Sequence, residues 1–186
     1  NPQPVRAIEE LGLEKGKKIL LITGASSGAV SINNAICLLL SKLGEFADSW
    51  QIVHLTGSAN YDSVVAKYAS AKISYKLLDY YDQMADLLAA AELVIGRSGA
   101  VSVAEYAAAG VPVICIPYPY HKDRHQYYNA EKLVEAGAGV IVDDLPDDGE
   151  RAEWLWEELE KLLKNDGKRR AMRENSKMIA KKDAAL

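Results

Sequence analysis

Short apolar runs alternate along the chain with stretches whose apolar residues recur every three or four positions. Residues 18–23, Lys-Ile-Leu-Leu-Ile-Thr, form a continuous apolar run stopped by Gly24, the pattern of a strand buried on both faces. Ile32, Ile36, Leu39, Leu40 and Leu43 follow at helical spacing, with Gly44 at the end. The same reading predicts further strands over 51–55, 73–77, 93–95, 113–116 and 140–142. Helices are predicted over 61–68, 81–91, 99–109, 124–136, 150–163 and 168–181. Six short apolar strands, each followed by a helix, imply right-handed crossovers. The expected fold class is therefore α/β: a single doubly wound domain with a six-stranded, mostly parallel sheet and helices on both faces. Residues 1–4 read as a linker and 1–17 as hinge and lead-in, leaving 18–186 as the domain proper. In such a sheet ligands bind outside the carboxyl ends of the strands. The turns after strands one, three, four and five are the places to look.

Charge and composition narrow the choice of ligand. Across 186 residues, 22 basic side chains stand against 26 acidic ones, a net charge of −4. No basic field covers the domain, so no nucleic-acid partner is expected. No apolar run reaches the roughly 18 residues of a membrane span. Cys37 and Cys115 sit in separate apolar segments and read as buried thiols of a reducing, cytoplasmic compartment. The chain opens at Asn1 without a leader or initiator Met, which reads as a piece of something longer.

After the first strand comes Gly24-Ala25-Ser26-Ser27-Gly28-Ala29, opening into a helix. Glycines let backbone approach a ligand, and a helix start favours an anion. The turn lacks the lysine of a P-loop and the spacing of a dinucleotide fingerprint. It does satisfy G-x-S-x-G with Ser26 central, so a serine hydrolase is one alternative, although a nucleophile elbow normally follows several earlier strands. After the fourth strand stands Arg97-Ser98-Gly99-Ala100-Val101-Ser102, with Glu105 one helical turn beyond Ser102. Helix-start N–H groups and the Ser102 hydroxyl suit a diphosphate, and the Glu105 carboxylate suits a sugar's hydroxyls. The plainer alternative has Ser98 capping the helix and Glu105 in solvent.

Tyr80 and Tyr81 follow the third strand, and either wall a planar base or divide between core and surface. After the fifth strand, His125 and Gln126 are candidates to hydrogen-bond a ligand. His121 and His125 are four apart, but two imidazoles make an incomplete metal site, and no third ligand has convincing spacing. Asp143, Asp144, Asp147 and Asp148 read as a solvated loop. Lys168, Arg169, Arg170, Arg173, Lys177, Lys181 and Lys182 read as a solvated basic helix, or one leaning on an anionic surface or another domain. Trp154 and Trp156, two apart on one helix, must point to different faces.

Three separated blocks are together more specific than any one turn: residues 97–105, Ala109-Gly110-Val111-Pro112, and residues 121–130. They resemble the C-terminal, nucleotide-sugar-binding half of the MurG family of GT-B glycosyltransferases, across nearly the whole chain. The resemblance implies a Rossmann-like donor domain of a hexosyltransferase that moves N-acetylglucosamine from UDP-GlcNAc onto lipid I in peptidoglycan synthesis. It also implies work at the cytoplasmic face of the bacterial membrane. Ser98, Gly99, Ala100, Val101 and Ser102 would then hold the diphosphate, with Arg97 beside them. Glu105 would bond the ribose, and Tyr80 and Tyr81 would border the uracil. His125 and Gln126 would reach the sugar with Asn129 supporting them. Ser26 and Ser27 would lie near the phosphates, and Arg6 near the base or hinge. No cofactor and no donor-site metal are implied. The family's N-terminal acceptor domain, with the expected catalytic base, has no counterpart in these residues, so no catalytic residue is assigned to this chain. A free-standing donor subunit that docks a separate acceptor subunit is the alternative within the class. The first turn departs from the family's Gly-Gly-Ser-Gln-Gly-Ala at Ala25 and Ser27, which predicts weaker donor binding or a different sugar.

Overall fold

The computed structural model describes residues 1–25 and 28–183, with backbone alone for 181–183. Its strands are β1 (Lys18–Thr23), β2 (Trp50–Leu55), β3 (Tyr75–Leu78), β4 (Leu93–Gly96), β5 (Val113–Cys115) and β6 (Gly139–Ile141). Its α-helices are α1 (Pro4–Glu10), α2 (Val30–Leu43), α3 (Tyr61–Tyr68), α4 (Met84–Ala90), α5 (Ala100–Ala109), α6 (His125–Glu135), α7 (Asp148–Lys164) and α8 (Asp166–Asp183). The sheet runs in the order β3-β2-β1-β4-β5-β6, and every pairing is parallel. Strand order therefore reverses between β1 and β4, and the crevice outside their carboxyl ends is where such a sheet takes ligands.

Alternation along β1 explains the two-sided core. Leu20 and Ile22 point into a cluster with α2, α3 and α7, whereas Ile19 and Leu21 point into one with α1, α4, α5 and α6. A strand sandwiched in this way has no polar face, which is why its sequence is a continuous apolar run. β1 and α3 have the boundaries expected from the sequence. At the C-terminus of α5, Gly110 adopts φ 64 and its N–H bonds the Ala107 carbonyl, a left-handed stop that only glycine adopts without strain.

Most other bounds shift by a residue or two, and three differences from the sequence reading bear on the site. Residues 4–10, expected as lead-in, form α1. Pro4 pre-sets its first turn, and Ala7 is fully buried against the face that carries α4. The Gln3 N–H also donates to Asp86 Oδ1 at 2.6 Å. β3 begins at Tyr75 and not 73, and α4 at Met84 and not 81, so Tyr80 and Tyr81 stand on a connecting loop.

The basic C-terminal stretch is not simply solvated. Arg169 is buried with its guanidinium 4.9 Å over the Trp50 ring, and it pairs with Glu92 at 3.1 Å and with Asp166. Arg173 donates to the Ala91 carbonyl at 3.1 Å. Two of the seven cations thus clamp α8 to the sheet's end. Trp156 is half-buried, edge-on to Phe46 at 6.1 Å, while Trp154 is 52% exposed, so the two indoles do face apart. Among the described residues no helix is long and apolar enough to cross a membrane.

Candidate functional site

Two adjoining cavities occupy the crevice at the β1/β4 reversal. The larger, about 630 Å³, lies over Gly24, Ala25 and Gly28 of the first turn and reaches Arg97, Gly99, His121 and Gln126. The smaller, about 380 Å³, is lined by Tyr80, Tyr81, Met84, Val101, Glu105 and Tyr106, among others. Ala25 and Ser102 line both, so the β1–α2 turn and the first turn of α5 form the saddle between them.

Helices α2 and α5 both start at this saddle. Their N-cap residues, Ala29 and Gly99, are extended and offer no side-chain cap, so neither helix spends its first-turn N–H groups on its own side chains. Two uncapped helix starts at one cavity favour a multiply charged anion. Close packing makes the saddle possible. A Cβ at Gly28 would fall 2.2 Å from the Thr56 carbonyl oxygen, and Gly28 itself holds φ +75. Ala25 also lies in the left-handed region, at φ 65, although it carries a methyl.

The floor of the larger cavity is an ion cluster that the sequence did not suggest. Arg97 donates to Asp144 Oδ2 at 2.7 Å, to the Ile116 carbonyl at 3.0 Å and to Ser31 Oγ at 3.0 Å. Arg151 donates through Nε to Asp144 Oδ1 at 2.5 Å and pairs with Asp148. The Arg97, Asp144 and Arg151 side chains are no more than 10% exposed, whereas that of Asp148 is 47% exposed. Two buried cations therefore share one buried carboxylate, and the balancing charge is half in water. The resulting floor is locally positive. The expectation of a solvated acidic loop is corrected here: Asp144 is a buried ion-pair partner, Asp143 accepts from the Tyr127 hydroxyl at 2.7 Å, and Asp147 caps α7 through the Glu150 N–H. Burial, reinforced by Asp143, raises the Tyr127 hydroxyl's pKa to about 12, so it stays a donor.

The other sequence-named residues divide by role. Ser98 is fully buried and faces neither cavity; its hydroxyl donates to the Gln126 carbonyl at 2.8 Å rather than capping α5. Asn129 Nδ2 returns a bond to the Ser98 carbonyl at 3.1 Å, so this pair ties the starts of α5 and α6 together. Gly99, Val101, Ser102 and Glu105 line the crevice, while Ala100 is exposed just outside it. Gln126 lines the larger cavity and accepts from the Tyr118 N–H at 2.9 Å. His125 stands one step out, its Nδ1 2.8 Å from Asp123 Oδ1, and this contact holds the Asp123 carboxyl below its ordinary range. Arg6 lies away from both cavities, bonded to Glu10 at 2.7 Å. Glu10 in turn accepts from the Tyr81 hydroxyl at 3.1 Å, so α1 is tied to the loop walling the smaller cavity. Ser26 and Ser27 lie outside the described residues.

Sequence reasoning missed Ser31, Tyr118, Asp144 and Arg151 of the larger cavity and Asp79 and Met84 of the smaller. For Asp79, Tyr118 and Asp144 the available signal was position, within a few residues of a strand's carboxyl end; Ser31 and Arg151 lie on α2 and α7 and carried no such signal. It also passed over Asp123 as a partner of the two imidazoles. His121, Asp123 and His125 come together, each with a ligand-type atom within 4.8 Å of the others.

Such a fold and crevice define a Rossmann-like α/β domain of the kind that makes up the C-terminal half of a GT-B glycosyltransferase. Residues 19–186 match the glycosyltransferase family 28 C-terminal domain, and the chain belongs to that family. It is 40% identical over 178 residues to the UDP-N-acetylglucosamine–N-acetylmuramyl-(pentapeptide) pyrophosphoryl-undecaprenol N-acetylglucosamine transferase of Halothermothrix orenii, covering 92% of this chain and 47% of that protein. A protein of the same name from Acetivibrio thermocellus is 36% identical, with 93% and 46% covered. The chain thus spans about half the length of these curated relatives. The crystal structure of Acinetobacter baumannii MurG superposes with a TM-score of 0.69 at 25% identity, over 96% of this chain and 52% of that one. The calicheamicin glycosyltransferase CalG4 shares the fold, with a TM-score of 0.65 at 21% identity, over 92% and 39%.

Proposed function

We propose that this chain is the donor-binding half of a hexosyltransferase that moves N-acetylglucosamine from UDP-GlcNAc to lipid I. The observation that carries the reading is the saddle shared by the two cavities. A diphosphate lying on it would meet the starts of α2 and α5 above a positive floor, with its two substituents directed into separate chambers. The smaller chamber suits a uridine: Tyr80 and Tyr81 border the base, and Glu105 accepts from the ribose hydroxyls. The larger chamber, with Gln126 in its wall, suits the amino sugar. The names of the 36–40% identical relatives support the choice of donor and acceptor.

Helix amides and guanidiniums supply the counter-charge, so the diphosphate needs no metal. Residues 1–17 join the donor half to an acceptor domain, which supplies the general base within hydrogen-bond reach of the attacking hydroxyl. The whole enzyme works peripherally on the cytoplasmic face of the bacterial membrane, where a lipid-linked acceptor is presented. Calorimetric titration of this chain with UDP-GlcNAc and UDP, against ADP and NAD and without added metal, tests the donor assignment. Binding of the uridine ligands alone, weakened about tenfold or more by Glu105→Ala, is expected for loss of a hydrogen bond to a charged group. Equal binding of ADP, or insensitivity to Glu105→Ala, overturns it.

A further inference from the structure

We propose that His121, Asp123 and His125 form a binding site for a divalent transition metal of the zinc class at the rim of the larger cavity, and that an occupied site excludes the donor's sugar. The exclusion rests on the donor reading above; the metal site does not. Two imidazoles and a carboxylate match the three protein ligands, with an open fourth position, that zinc accepts in open sites. His125 Nδ1 stands 2.8 Å from Asp123 Oδ1, and the His121 and His125 ring centroids are 4.3 Å apart at a 50° tilt. Ligand atoms about 2.0–2.1 Å from a tetrahedral zinc lie about 3.3 Å from one another. The three side chains, all within 4.8 Å, need only small rotations to close on one ion.

The backbone is built for this convergence. Arg124, a non-glycine residue, holds φ 51, and its N–H bonds the His121 carbonyl at 3.0 Å. That left-handed kink brings alternate residues 121, 123 and 125 onto one side of the turn. Its strain, about 1–2 kcal/mol, is of the kind found clustered at binding sites. Of the two cations interleaved with the ligands, Lys122 and Arg124, the second is drawn off, because the Arg124 guanidinium lies 4.4 Å over the Tyr127 ring. Tyr118 packs edge-on to His121 with ring centroids 4.9 Å apart and supports that imidazole from the other side. Of the three ligands only His121 lines the larger cavity, beside Gln126, so an ion held there sits at the mouth of the chamber assigned to the sugar, away from the smaller chamber.

The test titrates the chain, freed of metal by a chelator, with Co²⁺ followed by its visible ligand-field absorption and then displaced by Zn²⁺. One ion per chain is expected, with Ni²⁺ and Zn²⁺ bound more tightly than Mn²⁺ and no response to Mg²⁺. Losing a group that only supports a metal ligand costs roughly 10–100-fold in affinity, so loss of a ligand in His121→Ala or Asp123→Asn should weaken Co²⁺ by about 100-fold or more. Circular dichroism confirms that both variants are folded. No absorption change, or unchanged affinity in folded variants, overturns the site. A second arm compares UDP-GlcNAc with UDP in the Zn²⁺-loaded chain. About tenfold weaker UDP-GlcNAc binding with UDP unaffected is the expected result. Equal loss for both ligands points to chelation by the diphosphate, and no loss for either removes the exclusion; both outcomes overturn that half of the proposal. If neither nucleotide binds even without metal, the donor reading fails, while the Co²⁺ titration still decides the site.

Discussion

Arg97 and Asp144, 47 residues apart in the chain, meet through a 2.7 Å charge-assisted hydrogen bond beneath the larger cavity. Asp144 also holds Arg151 at 2.5 Å, so one buried carboxylate is shared by two guanidiniums. Removing it leaves Arg97 with no carboxylate and Arg151 with only the half-exposed Asp148. Asp144→Ala should cost about 3–5 kcal/mol, the usual penalty for breaking a buried pair from one side. Urea unfolding measures this; a loss under about 1 kcal/mol would mean that water reaches the cluster.

Ala25 holds φ 65 on the turn that forms the saddle. A side chain there pays left-handed strain that glycine avoids, and this exceeds the entropy glycine adds to the unfolded chain. Ala25→Gly is therefore expected to stabilise the domain by about 1 kcal/mol, seen as a higher urea midpoint at unchanged m-value. Lower stability would show that the methyl's packing outweighs the strain.

Gly96, the last residue of β4, leaves no room for a side chain. An added Cβ would lie 2.4 Å from the Tyr106 hydroxyl oxygen and 3.1 Å from the Thr23 carbonyl. Gly96→Ala should destabilise by about 1–3 kcal/mol as an overpacked site. Part of this should return in the double variant with Tyr106→Phe, which removes the nearer atom. A double-mutant cycle reads the coupling, and strict additivity would rule out the clash as the cause.

His54 is buried on β2, its Nε2 2.8 Å from Asn33 Oδ1 and its Nδ1 2.9 Å from the Tyr68 hydroxyl. Burial lowers its pKa from 6.5 to about 3. Between those values the unfolded chain holds a proton that the folded chain refuses. The stability is thus complete above about pH 6.5 and falls as pH drops toward 3, by about 1.4 kcal/mol per pH unit. Urea unfolding at pH 7, 6 and 5 should show this slope, and His54→Gln should flatten it. An equal slope in the variant would assign the acid sensitivity to other groups.

How much of the site could be read in one dimension depended on the interaction involved. Glu105, Ser102, Tyr80 and Tyr81 were legible because they follow strand ends, and strand ends are marked locally by where an apolar run stops. Ser98 and Asn129 were legible as belonging to the region, but not as the pair that ties α5 to α6. Helix α1 was missed because seven residues make too short a window for periodicity, and its helical state rests on Ala7 packing against neighbouring elements.

From β1 onward, the order of elements, the parallel sheet and the location of the crevice were determined by the sequence alone. Apolar runs such as residues 18–23 admit burial on both faces and little else, and right-handed crossovers then place the strand ends together. Only the tertiary structure decided which charges are buried. Asp144, Arg151 and Arg169 look in sequence like solvated residues, yet each is buried with a partner from another element or the far end of its own turn. A charge leaves water only when its counter-charge is already waiting, and that pairing is a property of how distant segments meet.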